Sequence, residues 1–249
     1  MAEQKTKAEQ KTKKDSFNIE LEEMARVGLY LGHKTSNVHP KMKPYIFGKK
    51  NDLYLIDLEK TKEKLEEALQ FIKQLISENK VLLLVGTKIQ ARNILKGVAE
   101  DLGLPYINER WLGGTLTNFE TLKKRINYFK DLQEKKEKGE LVKYTKKERA
   151  KIDKEISDLE RKFGGIKKLE KMPDAIFVLD MKKDATAIKE ARKKKIWVIG
   201  VADTNVDPTL ADYPIPANDD AMSSIKYILD KVREIVAKSE TKNKDSKQS

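Results

Sequence analysis

The stretch 81-VLLLVGTKIQARNILKGVAEDLG-103 decides the fold class. Val81 to Val85 is an unbroken apolar run, the composition of a strand covered on both faces, because a strand with one wet face alternates. Gly86 turns the chain, and Thr87 with Gln90 has the spacing of a capping box, opening a helix that closes at Gly103. Two later stretches repeat the pattern: 175-AIFVLD-180 behind Pro173, and 196-IWVIGV-201. Helix-period sequence follows each, over about 184–195 and about 219–238. The second carries Ile225, Ile228, Leu229, Val232, Ile235 and Val236 on one side. A short strand, Tyr106 to Asn108, lies between the first helix and the next segment. Such alternation predicts a parallel sheet with helices on both faces, a three-layer α/β/α domain.

Upstream, Leu21, Met24, Ala25 and Leu29 recur at helical spacing, predicting a short helix that ends near Gly28 or Gly32. Two alternating runs, Tyr45 to Phe47 and Leu53 to Ile56, flank GKKND and predict a β-hairpin. Asp57 stands where an N-cap would, ahead of Leu58, Leu65, Leu69, Ile72 and Ile76, an amphipathic helix of about five turns. Residues 117–166 interrupt the alternation. Thr117 with Glu120, and Thr145 with Glu148, have capping-box spacing, each before a charged helix with a narrow apolar stripe. Phe119, Leu122, Ile126, Phe129 and Leu132 form the first stripe; Ile152, Ile156, Leu159, Phe163 and Ile166 form the second. With Gly139 in the connection, this predicts an inserted antiparallel coiled-coil hairpin. The domain reading is therefore a disordered basic arm over 1–16 with AEQKTK repeated, a discontinuous α/β domain over 17–116 and 167–238, the hairpin at 117–166, and a disordered tail over 239–249.

The chain has 249 residues, no cysteine and two histidines, which excludes disulfide frameworks, thiol catalysis and Cys-based zinc sites. No run approaches the ~20 apolar residues of a membrane span, and no apolar leader is visible, so membrane and secretory readings are set aside; a reducing cytoplasm fits. The net charge of +12 is unevenly placed: residues 117–171 hold +7, 1–16 and 238–249 hold +2 each, and the remainder is close to neutral. A polyanion gripped by extensions fits that distribution.

Few motifs suggest chemistry. GTKIQ lacks the glycines of a dinucleotide site or a P-loop, so an ordinary βα turn is expected there. Asp57, Asp180 and Asp203 fall near strand ends, where α/β domains place ligands. With Thr204 alongside, Asp180 and Asp203 support the alternative of a small nucleotide- or phosphate-handling enzyme, but no nucleophile and base accompany them. His33 and His39 have no further ligand to complete a metal sphere. Two segments suit RNA. His39-Pro40-Lys41-Met42-Lys43-Pro44-Tyr45, with Lys49 and Lys50, interleaves cations and an aromatic ring. Arg110-Trp111-Leu112-Gly113-Gly114-Thr115 puts a guanidinium and an indole beside a Gly pair, where Trp111 either stacks on bases or packs into the core.

Read together, GH at 32–33, HPKMKPYIFGKKNDLYLIDLEKT at 39–61, VGTKIQA at 85–91, YINERWLGGTLTNFETL at 106–122, MPDAIFVLD at 172–180, ADTNVDP at 202–208 and PIPANDDAMSSI at 214–225 resemble the bacterial small-subunit ribosomal protein of the S two family. The likeness runs in order from about residue 20 to 237. It implies a flavodoxin-like domain with an inserted coiled-coil hairpin. It also implies a structural, non-enzymatic role in the small ribosomal subunit, binding its rRNA and neighbouring proteins, the largest mRNA-binding one among them in many bacteria. The family commonly carries Trp-Asn at Val38-His39, Cys at Val206 and Pro near Trp197. On this reading no cofactor, metal or small-molecule substrate is expected. The RNA-contacting candidates are Lys34, His39, Lys41, Lys43, Lys49, Lys50, Lys88, Arg92, Arg110 and Trp111, then Lys123, Lys124, Arg125, Lys146, Lys147 and Arg149.

Overall fold

The computed structural model describes residues 17–245, so the arm expected over 1–16 and the final residues 246–249 lie outside it. The chain opens with α1 (Leu21–Arg26), which ends before Gly28 at φ +78. A small antiparallel sheet follows, with β1 (Leu31–Lys34), β2 (Ile46–Lys50) and β3 (Leu53–Ile56) in the order β1-β3-β2. The β2–β3 hairpin is the one its alternation predicts; Asn51 and Asp52 turn it with positive φ, a conformation their short polar side chains tolerate. Strand β1 was not expected, because LGHK carries neither alternation nor a β-rich run.

Asp57 caps α2 (Leu58–Ser77), accepting from the backbone N–H of Glu59 and Lys60. The main sheet then builds from β4 (Leu82–Val85), β5 (Tyr106–Ile107), β6 (Ala175–Val178), β7 (Trp197–Ala202) and β8 (Tyr213–Pro216). All pairs are parallel and the order is β5-β4-β6-β7-β8. Counted from β4 this is 2-1-3-4-5, with the reversal between β4 and β6, where doubly wound sheets open a crevice at the carboxyl ends of their strands. The proline-bearing β8 escaped the sequence reading; as an edge strand it accommodates Pro214 and Pro216.

Alternate residues of each strand feed two apolar layers. Leu82, Leu84, Phe177, Ile199 and Ile215 pack with α2, α3 (Ile89–Asp101) and α7 (Met222–Asp245). Leu83, Val85, Ile176, Val178 and Val198 pack with α4 (Phe119–Glu137), α5 (Lys146–Phe163) and α6 (Ala185–Lys193). Helix α7 runs to Asp245 rather than ending near Lys238, so residues 239–245 of the expected tail are helical. Extending a helix already nucleated on the core is cheap.

Helices α4 and α5 are joined across Gly139, which sits in the left-handed region at φ +71. Between them Tyr128 donates to Glu155 at 3.1 Å, Gln133 to Glu160 at 2.8 Å, and Lys136 meets Asp153 at 2.6 Å. Of the three expected capping boxes only Thr145–Glu148 forms, in both directions. Thr87 instead gives both its donors to buried Asp184, at 3.2 and 2.8 Å, and α3 opens uncapped. Thr117 is drawn to Glu190, and α4 opens at Asn118 without a side-chain cap.

Candidate nucleic-acid interface

Four strands deliver polar side chains to the carboxyl edge of the parallel sheet. Lys88 follows β4, Asp180 follows β6, Asp203 and Thr204 follow β7, and Asp219 and Asp220 follow β8. His33 reaches in from β1. Gly32 allows that approach, since a Cβ there would stand 2.5 Å from Thr204 Cγ2; the His33 N–H donates to Thr204 Oγ1 at 2.9 Å. The Lys88 ammonium lies 2.7 Å from Asp219, 2.6 Å from Asp220 and 3.3 Å from Asp180. Burial pulls its pKa down, yet the bonds to Asp219 and Asp220 and the charge of Asp180 outweigh this and hold it above the ordinary lysine value. Burial, with the charges of Asp180 and Asp203, raises the Asp219 carboxyl. His33 Nδ1 is 3.1 Å from Asp203, and that carboxylate raises the imidazole pKa against the opposing effect of burial.

A cavity of about 230 Å³ opens here, lined by His33, Asn37, Lys88, Asp180, Asn205 and Asp219 among others. His33, Asp203 and Asp219 offer ligand atoms within 4.8 Å of one another, the one such set among the described residues. The chain's own Lys88 already occupies the position of a counter-cation. Asp180 also accepts the N–H groups of Lys182 and Lys183, and Asp203 those of Thr204 and Asp219, so both carboxylates act as turn acceptors.

The Arg110–Thr117 loop is organised by a residue the sequence reading passed over. Glu190 of α6, 8% exposed, accepts from the Trp111 indole N–H at 3.2 Å, from the N–H of Gly114, Leu116 and Thr117 at 2.8, 2.9 and 3.0 Å, and from the Thr117 hydroxyl at 3.1 Å. Burial works to raise its pKa, but these backbone donors prevail and lower it. Gly114, at φ +92, supplies the turn that aims them. Trp111 is 8% exposed and belongs to the apolar layer under α4, so the packing alternative holds for its ring. The available signal was the position of Glu190 on the inward side of its helix, beside buried Ala187 and Ala191.

The remaining candidates divide by pairing. Lys88 is consumed as above. Arg92 donates to the Thr87 carbonyl and to the Glu109 carboxylate and carbonyl. Lys41 pairs with Asp207 at 2.7 Å; burial raises and this ammonium lowers the Asp207 carboxyl, to about 2. His39 accepts the Lys41 N–H through Nδ1. By contrast Lys34, Lys43, Lys49, Lys50, Arg110, Lys123, Lys124, Arg125, Lys146, Lys147 and Arg149 are all exposed. Among the described residues none of their side chains has an ion pair or hydrogen bond.

With this geometry in place, comparison with known proteins decides the family. The sequence profile described as Ribosomal protein S2 matches residues 24–239. The chain belongs to the ribosomal protein S2 family. It is 43% identical over 218 residues to the small ribosomal subunit protein uS2 of Coprothermobacter proteolyticus, covering 88% of this chain and 81% of that relative. A member of this family has a structural ribosomal role and is not an enzyme, which closes the alternative built on Asp180 and Asp203. No helix among the described residues is long and apolar enough to cross a membrane.

Proposed function

We propose that this chain is a structural constituent of the small ribosomal subunit in the cytoplasm, held there by small-subunit rRNA and by neighbouring ribosomal proteins, the largest mRNA-binding one included. In this reading the parallel sheet is a flavodoxin-like body, and α4 with α5 is an antiparallel coiled-coil hairpin projecting cations between RNA helices. One observation carries it: the cations that the fold itself uses are matched to carboxylates or carbonyls, whereas those described on residues 34–50, Arg110 and α4–α5 are mostly exposed and, Lys41, Lys136, Lys138 and Arg161 apart, unmatched. Phosphate oxygens are the counter-charges such a surface suits, giving affinity and register, while RNA shape gives specificity.

The test is sedimentation of the tagged chain from lysate at low salt and after a high-salt wash. Near-stoichiometric migration with the small subunit at both salts is expected. A chain found only at the top of the gradient would defeat the proposal.

A further inference from the structure

At the amino edge of the parallel strands, opposite the polar cluster, three aromatic rings meet. Phe71 of α2 stacks on Tyr213 of β8 with centroids 4.3 Å apart and planes 17° from parallel. Trp197, the first residue of β7, stands 5.6 Å from Phe71 and 6.3 Å from Tyr213. The first two rings are half-buried, but Trp197 remains 49% exposed, in contrast to Trp111. Its backbone N–H is satisfied by the Asp174 carbonyl, so the indole is not needed to start the strand. Arg192, Lys193, Lys194 and Lys195, all exposed, precede it in the chain, with buried Ile196 between. Arg192 donates to the Thr209 carbonyl, and among the described residues the three lysine side chains have no ion pair. The nearby acids are engaged: Glu67 holds Lys64 at 2.8 Å, and Asp212 accepts the Val198 N–H at 2.8 Å.

We infer that this edge is a second RNA contact, in which Trp197, backed by Phe71 and Tyr213, stacks on an unpaired base while Arg192 to Lys195 hold the adjoining phosphates. A half-exposed indole on a rigid aromatic base is a stacking platform, and four consecutive exposed cations just ahead of it in the chain complement a polyanion rather than an apolar protein face. The inference rests on the rRNA-binding reading above and adds to it a surface at the far end of the sheet, outside every segment singled out from the sequence for RNA.

Trp197 reports on itself. In the full-length Trp111→Phe chain it is the sole tryptophan emitter; the wild-type chain, where acrylamide reaches chiefly Trp197, serves if that variant folds poorly. Titration with small-subunit rRNA is followed by fluorescence and, in parallel, by filter retention. Retention accompanied by quenching of Trp197 and protection from acrylamide is expected. Trp197→Ala should weaken retention about 5- to 100-fold, the range found when a stacking ring is removed, with Trp197→Tyr restoring most of it. Retention at full affinity with unaltered emission overturns the inference and leaves the rRNA reading intact. So does protection that appears only in the assembled subunit, which assigns the edge to a protein neighbour. Failure of the wild-type chain to be retained at all defeats the rRNA reading and this inference with it.

Discussion

At the carboxyl edge of the parallel sheet, Lys88 is surrounded by Asp180, Asp219 and Asp220, and His33 by Asp203 and Asp220; along α4 and α5, Lys123, Lys124, Arg125, Lys146, Lys147 and Arg149 face solvent unmatched. Both regions are rich in charge and both were singled out as candidates for function. The first is closed, its charges bound to one another around buried Asp180, Asp203 and Asp219. The second is open, its charges in excess with no acid among the described residues to receive them. Pairing, rather than the number of cations, therefore separates a structural polar cluster from a surface suited to an external polyanion. Opening the closed cluster should cost stability, whereas altering the open surface should cost binding and leave stability alone.

The largest effect is expected from Lys88→Met. Removing one partner of a buried ionic group leaves the other uncompensated, which costs about 3–5 kcal/mol. Asp180 and Asp219 would be left facing each other, so the loss should shrink at acid pH as Asp219, whose carboxyl is already raised, takes up a proton. Denaturant unfolding at pH 5 and pH 8 measures this, and an equal loss at both pH values would argue that the cluster's charges are not mutually dependent. Next comes Glu190→Ala, which strips the acceptor from the N–H groups of Gly114, Leu116 and Thr117. At about 1–3 kcal/mol for each buried group left unsatisfied, and with some donors reaching water, a loss of about 3 kcal/mol is expected in thermal unfolding. The folded Glu190 carboxyl is lowered, so its contribution is present above its unfolded pKa and fades as pH falls through the folded one.

These two residues also mark how much the sequence discloses. The strand-helix alternation was legible because burial on both faces leaves an apolar run such as Val81 to Val85 with no other reading. The Thr145–Glu148 box was legible because nothing competes for it on an exposed helix. The boxes at Thr87 and Thr117 failed for the opposite reason: buried Asp184 and Glu190, 97 and 73 residues away, claim the same donors. Likewise Lys88 and Arg92 read as free cations because their acids lie on other strands or loops. Only the fold brings Lys88 to Asp219, 131 residues distant. Local signatures survive where no tertiary partner is within reach, and the surface proposed for RNA is the part of the molecule where that condition holds.

A smaller effect should come from His33. Its pKa is raised in the folded chain, so the stabilisation it brings is complete below the unfolded value of about 6.5 and is lost as pH rises through the folded value. Wild-type stability should therefore decline from slightly acid pH toward pH 8, and part of that decline should vanish in His33→Gln. Asp219 and Asp184, whose raised pKa values act in the same direction, contribute to the remainder. A profile identical in the two proteins would mean that the imidazole is not coupled to Asp203.

The smallest change in stability, and the sharpest contrast, is expected from reversing Lys146, Lys147 and Arg149 to Glu together. All three occupy the first turn of α5, just after the Thr145 cap, where acidic side chains favour the helix by opposing its positive amino end. The reversal should therefore leave the melting temperature within a degree or two, which thermal unfolding checks. Binding to small-subunit rRNA should nonetheless weaken, and the dependence of log affinity on log salt should flatten by about one for each phosphate no longer neutralised. Because the cap and both apolar stripes are untouched, a flattened slope with unchanged stability assigns the weaker binding to the open surface alone. An unchanged slope would place the start of α5 outside the RNA interface and leave residues 34–50, with Arg110 and α4, to carry it.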